Sequence, residues 1–395
     1  MIPVVDRRFR WLWAAYAVST YGTWLGFGAF SLIAVLVLEV GPAQVSVLSA
    51  VGLAVGAVVA VPLGPWVEGR RKRQVMVAMD LIRFAALVSV PVAFVFGWLS
   101  FGQLLVVSVI AAAAKIAFNA ASGAFLKTLL PREDLLVANS RLESTMWSAS
   151  VVGPPLGGLA IGVFGPVVTV LADAVSYLVS ASFVRAIGGD EPRPARNEAR
   201  LRPADLVEGW RDILAHRPLR RLFLNVVFFN GLLMATEPLL AVLLLDRLGF
   251  AAWQYGLVFA LPCVGGLIGA RLARRLVARY GQRAVLRAAG ALRVCWPFWL
   301  AFVQSGLPGI VLVIVIQFGL VTCCAVFNPV VATYRLEQIA PDRVARTLTA
   351  WSVSTSGSIA VLTALWGLLA AVIGLREAIA AAGVLILLTG LSGKP

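Results

Sequence analysis

Six ionisable side chains fall where the surrounding sequence is apolar enough to span a bilayer: Asp80, Arg83, Lys115, Asp173, Glu237 and Arg293. A charge in hydrocarbon is costly, so such residues pair with one another or serve the passage of ions and substrates. A carboxylate in low dielectric holds its proton to higher pH than one in water, which suits it to load and release a proton near neutrality. Glu237 stands in LLMATEPLLAV beside the kink-prone Pro238, and Asp173 stands in LADAVSYLVSA. These two are the candidate proton carriers, with Glu237 first. Lys115, in AAAAKIAFNAAS, lies one turn from Asn119 among small residues. It is a candidate to line a substrate cavity, pairing a carboxylate or attracting an acidic group on the substrate. Asn225, Asn230, Gln317 and Asn328 sit on helices that can add polar contacts to an apolar pocket. Asp80, Arg83 and Arg293 fall close to predicted cytoplasmic helix ends, where snorkelling or pairing with a loop accounts for them. The plainer reading of every one of these residues is a structural pair between packed helices.

The elements that must position them are membrane helices. Of 395 residues, 60% are hydrophobic and 13% charged, against about a quarter charged in soluble domains. With about 20 apolar residues needed per crossing, the chain divides into twelve predicted spans. They run over 11–38, 43–65, 74–97, 101–126, 140–164, 166–186, 219–245, 253–273, 285–304, 308–331, 347–373 and 375–392. The run that follows Arg7, Arg8 and Arg10 is too long for a signal-peptide core and reads as the first span.

The net charge of +15 is confined to alternate bridges. One set carries Arg70 to Arg73, Arg132 and Arg141, the linker, Arg271 to Arg287 and Arg335 to Arg346. On the other side lie only Arg247 and Arg376 of 34 basic residues. The excess of Lys and Arg faces the cytoplasm, which predicts both termini inside. The charge is therefore a topology signal, and no basic polar domain is left to bind nucleic acid.

Enzyme chemistry is poorly supplied. The one histidine, His216, lies in a linker, and the four cysteines (Cys263, Cys295, Cys323, Cys324) lack metal-ligand spacing, so no metal site is expected. HExxH, Walker and Gly-x-Ser-x-Gly elements are absent.

The chain matches itself weakly at an offset of 210: Arg7 with Arg217, Arg10 with Arg220, Arg73 with Arg283, Arg83 with Arg293 and Pro131 with Pro341. This predicts two six-helix halves, an N-terminal bundle over 1–187 and a C-terminal bundle over 217–395. A cytoplasmic linker over 188–216 joins them, and its second part places Leu206, Trp210, Ile213 and Leu214 on one face of an amphipathic surface helix.

Between the second and third spans runs GPWVEGRRKRQ, with Gly64, Glu68 and the basic run Arg70, Arg71, Lys72 and Arg73. Glu68 is expected to accept hydrogen bonds from the start of the next helix or to pair with a neighbouring arginine. Together with Asp80 and Arg83, these residues read as a cytoplasmic gate; alternatively the basic run only holds topology. In the fifth span, Gly153, Pro154, Pro155, Gly157 and Gly158 combine close-approach glycines with a proline kink.

Twelve spans, six-plus-six duplication and this loop together resemble the major facilitator superfamily over nearly the whole chain, implying an all-α membrane fold of two six-helix pseudo-repeats. The loop is similar to that family's Gly-x-x-x-Asp-Arg-x-Gly-Arg-Lys-Arg signature. Glu68 stands for the aspartate, while Gly69, Arg71 and Gln74 depart from it. GPPLGG resembles the family's antiporter motif, with Ala149 at its first glycine. FRWLWAAYAVSTYGTWL, PREDLLVANS and LVEGWRDILAHRPLRRL resemble the macrolide-efflux-like and siderophore-exporter-like branch. The resemblance implies a bacterial inner-membrane antiporter, acting as a monomer without a cofactor. It would export an amphipathic antibiotic, siderophore or other metabolite by alternating access, driven by the proton gradient. An importer or lipid flippase on the same fold is the alternative.

Overall fold

The computed structural model describes residues 7–40, 44, 48, 54–55, 58–189, 191, 203–250 and 252–392. Among these residues there is no strand. Apolar sequence this long leaves the backbone no water to bond, and a helix satisfies every N–H and C=O within its own segment. The helices are α1 (Arg7–Leu25), α2 (Ala29–Leu36), α3 (Leu63–Glu68), α4 (Lys72–Val95), α5 (Phe101–Leu129), α6 (Arg132–Phe164) and α7 (Pro166–Ala186). They continue as α8 (Pro203–Ala215), α9 (Arg217–Val242), α10 (Ala252–Tyr280), α11 (Gln282–Val294), α12 (Leu307–Gln338), α13 (Val344–Ile373) and α14 (Leu375–Ser392).

Ten helical stretches among the described residues are long and apolar enough to cross a membrane. They meet ten of the twelve predicted spans. Most of the span at 43–65 lies outside the described residues, and the span at 375–392 is the 18-residue α14. Side chains such as Val95, Leu307 and Val372, 77%, 74% and 83% exposed, form an apolar exterior that suits lipid and would be a liability in water.

Boundaries differ from the predicted ones where local chemistry decides them. The first span is not continuous: α1 stops at Leu25, and Gly28, at φ 81°, admits a turn before α2. The fifth span is longer than the predicted 140–164, because α6 starts directly after Pro131 and runs 33 residues. The ninth is broken by Pro297 into α11 and a 3-10 stretch, Pro297–Phe302.

The chain forms two compact units that do not follow chain order. Unit 1 comprises residues 1–138, 149–212 and 339–353; unit 2 comprises 139–148, 213–338 and 354–395. The long helices α6 and α13 therefore each contribute to both. In unit 1, α4 packs on α5 and α7, and α7 on α1. In unit 2, α12 packs on α10 and α11, and α9 on α14. Gly265 and Gly269 on α10 face Thr322 of α12 so closely that a Cβ at either would collide with it, the small-residue contact by which membrane helices approach.

Candidate functional site

The loop predicted to act as a gate lies in unit 1 and is built around Glu68 at the end of α3. Its carboxylate does not bond the start of the next helix. It accepts the backbone N–H of Arg346 at 2.9 Å and pairs with the Arg346 guanidinium. Glu68 thus sits at the N-terminus of α13, where orphan N–H groups favour an anion. Burial pushes the Glu68 carboxyl above its ordinary value, while the Arg346 bonds and charge pull it back. Gly64 packs tightly here: a Cβ would lie 3.0 Å from the Thr349 side chain and 3.2 Å from the Arg346 backbone.

Around this pair the ionic network widens. Glu208 of α8 also pairs with Arg346, and Asp212 takes Arg343 at 2.7 Å. Gly209 meets the Arg346 carbonyl, so α8 is docked rather than merely surface-lying. Leu214, expected on its apolar face, is 44% exposed, and the Leu206 side chain lies outside the described residues. The start of α4 is held by the linker's Glu191, whose carboxylate accepts the backbone N–H groups of Lys72 and Arg73. Lys72 turns its Nζ onto the carbonyls of Val67, Glu68 and Arg70, closing the end of α3. Arg73 donates to the Gly189 carbonyl, Arg70 lies over the Trp66 ring, and Arg71 supplies the extended residue before α4.

Asp80 and Arg83 do not join this loop. They are buried within unit 1 at 0% and 5% exposure, where snorkelling heads would be exposed. Asp80 accepts from Arg83 at 2.6 Å and from the Ser180 hydroxyl of α7 at 2.7 Å. The Arg83 guanidinium lies over the rings of Phe118 and Tyr177, and Tyr177 shares a 2.7 Å hydrogen bond with Thr23 of α1. Asp173 is half-buried on α7, with Arg83 and Lys115 as its charged neighbours. Gly26, in the turn after α1, faces it, and a Cβ there would lie 3.3 Å from the Asp173 side chain. Lys115 and Asn119 are exposed on one face of α5. Unit 1 thus pairs Asp80 directly with a cation, whereas Asp173 has Arg83 and Lys115 only as charged neighbours and keeps a buried Oδ1 without a hydrogen-bond partner.

The glycines of the antiporter-like motif have a specific task in unit 1. A Cβ on Gly153 would strike Trp24, and one on Gly157 would strike the Leu25 carbonyl, so α6 crosses α1 backbone to backbone. Gly158 has open space. Pro154 and Pro155 stand within α6, and Ala149 is fully buried.

Unit 2 is arranged differently. Glu237, half-buried on α9, has the Gln317 side chain of α12 as its hydrogen-bonding neighbour. Asn225 is consumed structurally: its Nδ2 donates to the Thr389 carbonyl at 3.0 Å, and its Oδ1 accepts from Arg293 at 2.5 Å. Arg293, 1% exposed, is sandwiched between the rings of Phe229 and Phe327 at 4.0 and 3.7 Å. Its repeat partner Arg83 has Asp80, but the position matching Asp80 at the same offset is Gly290, which lies against Phe327. Asn230 is half-buried and Asn328 exposed.

One buried-region carboxylate escaped the sequence reading. Glu143 accepts from Trp147 Nε1 at 3.0 Å and from Asn328 Nδ2 at 2.9 Å. Setting the fifth span at 140–164 placed Glu143 at its edge, whereas it lies eleven residues inside α6. Its i, i+4 spacing to Trp147 was the available signal.

Comparison with known proteins agrees with this architecture. The Major Facilitator Superfamily pattern matches residues 12–323. An uncharacterized MFS-type transporter, YvqJ of Bacillus subtilis (strain 168), is 25% identical over 70% of this chain and 66% of its own length. The multidrug efflux pump Tap of Mycolicibacterium fortuitum is 30% identical over 56% of this chain and 55% of its own. Among solved structures, a bacterial homologue of the iron transporter ferroportin in its outward-facing state superposes with a TM-score of 0.83 at 18% identity, covering 98% of each chain. The human organic anion transporter MFSD10 does so at 0.79 and 15% identity, over 98% of this chain and 99% of its own. At such identities the likeness concerns the fold.

Proposed function

Because the chain belongs to the Major Facilitator Superfamily, and is therefore a multi-pass membrane transporter and not an enzyme, we propose that it exports an amphipathic small molecule in exchange for protons. The observation that carries this reading is Glu237, a half-buried carboxylate on a bilayer-spanning helix whose hydrogen-bonding neighbour is the neutral Gln317. A carboxylate without a fixed countercharge can change protonation without breaking an ion pair. Asp173 is the second candidate, held back by the positive charges of Arg83 and Lys115 around it.

Two further features support efflux. The chain shares 30% identity with a multidrug efflux pump over the matched region, and Gly153 and Gly157 set the close α6–α1 crossing at the antiporter-like motif. The charge asymmetry of the bridges supports both termini lying inside, and the bacterial relatives support a cytoplasmic-membrane location. The protein works by alternating access, in which protonation shifts a conformational equilibrium only as far as the two states differ in proton affinity. Glu68, Arg346 and Glu208 form the contacts that break and re-form at the gate.

The test is untargeted mass spectrometry of cells and medium with the gene deleted, restored, and restored as Glu237→Gln. A compound that accumulates inside the deletant and returns to the medium on restoration is the expected result, with Glu237→Gln inserted in the membrane but inactive. A compound left behind in the medium of the deletant reverses the direction. Wild-type export by Glu237→Gln removes this residue from the proton path.

A further inference from the structure

From the surroundings of Glu143 we infer a second recognition site, in unit 2, for the positively charged group of a hydrophobic organic cation. Both hydrogen bonds to this carboxylate, from Trp147 Nε1 and Asn328 Nδ2, land on Oε1. Oε2 takes neither, so the carboxylate is held in orientation with one oxygen left to present. Both donors are neutral, and among the described residues Glu143 has no ion-pair partner. Arg293, a fully buried cation of the same unit, is already committed to Asn225 and to the rings of Phe229 and Phe327. In unit 1, Asp80 is paired with Arg83, and Asp173 has Arg83 and Lys115 as charged neighbours; among the described residues Glu143 has only its neutral donors.

The shape of the site agrees with its charge. Trp147 is half-buried, and its ring rests on Gly266 of α10, where a Cβ would collide with it. An indole beside a carboxylate attracts a cation through its ring quadrupole as well as by its apolar area. Glu143 is itself half-buried and Asn328 is exposed, so the group is reachable. An anionic ligand would meet a carboxylate that has no cation beside it among the described residues. The site therefore selects sign first, and then apolar bulk.

The inference rests on the reading of the chain as a small-molecule exporter, and a binding experiment separates the two because it needs neither a gradient nor a direction. The purified full chain in nanodiscs is dialysed to equilibrium against tetraphenylphosphonium and, separately, against tetraphenylborate, which matches it in size and has the opposite charge. Saturable binding of the cation alone is expected. Glu143→Gln, which keeps the side chain's shape, should weaken it about ten-fold or more, the loss typical of an enclosed charge partner. Trp147→Leu, which keeps the charge and removes the ring, should weaken it about three-fold. Melting temperatures check that the variants are folded, and Trp147→Leu carries the test should Glu143→Gln fail to accumulate.

Binding of the cation by a folded Glu143→Gln within two-fold of wild type overturns the site, as does equal binding of the borate or no binding of the cation at all. Cation binding retained in a protein that shows no proton-driven flux in proteoliposomes overturns the export reading and leaves the site standing.

Discussion

Glu68 and Arg346 lie 278 residues apart and meet as an ion pair reinforced by a backbone N–H. A carboxylate so enclosed is favoured by its arginine and by the helix end it caps, and opposed by the loss of water; here burial dominates. The sign of the linkage follows. Because its proton is held to higher pH in the folded protein than in the unfolded chain, the fold binds more protons between the ordinary and the raised value. Across that window, the stability of wild type relative to Glu68→Gln should fall as pH rises, while the ion pair itself forms only as the proton leaves. Melting curves of the two solubilised proteins over the carboxylate range test this; a wild-type advantage that grows with pH contradicts it. Arg83 and Arg293 make a related point. They occupy matching repeat positions, yet one is neutralised by Asp80 and the other rests on an amide and two aromatic rings. Sequence alone shows the two arginines and the Gly290 that replaces the carboxylate. That Phe229 and Phe327 close over Arg293 depends on the packing of α9, α11 and α12.

Among the helices, the contact of α6 with α1 illustrates how small residues set geometry. Gly153 and Gly157 are the two motif glycines whose missing Cβ atoms admit Trp24 and Leu25, whereas Gly158 faces open space. Within a helix, replacing Gly by a residue with a side chain gains up to about 1 kcal/mol of propensity, so any loss at Gly153 or Gly157 reports the crossing. Gly157→Val should therefore cut transport at least about ten-fold, with a lowered melting temperature, because backbone overpacking costs on the order of 1–3 kcal/mol. Gly158→Ala should retain wild-type transport. Equal activity of both variants means that the crossing is not needed for the transport cycle. The six-residue motif was legible in sequence, but which of its glycines touch another helix was not, since α1 is more than a hundred residues away along the chain.

For the whole molecule, the charge asymmetry of the bridges carries a topology that can be checked directly. In a cysteine-free background, Arg71→Cys should react with a membrane-impermeant maleimide only in inverted vesicles, and Ser305→Cys only in intact spheroplasts. Labelling of both from the same side contradicts the assignment of sides. The amino-acid sequence by itself determined that this is a membrane protein of many spans, because hydropathy and charge are local properties that a bilayer reads directly. The residues of the gate loop and of GPPLGG were equally plain, since each lies within a dozen positions. Tertiary structure alone decided the partnerships: Glu68 with Arg346, Asp80 with Ser180, and Glu143 with Asn328, at separations of 278, 100 and 185 residues. It also decided that segments of α6 and α13 leave their own half of the chain for the other compact unit. The physical reason is that a helix in lipid forms from its own composition, whereas its rotation and register against helices distant in sequence come from side-chain packing. That rotation is what turns a charge such as Glu143 toward Asn328 and Trp147.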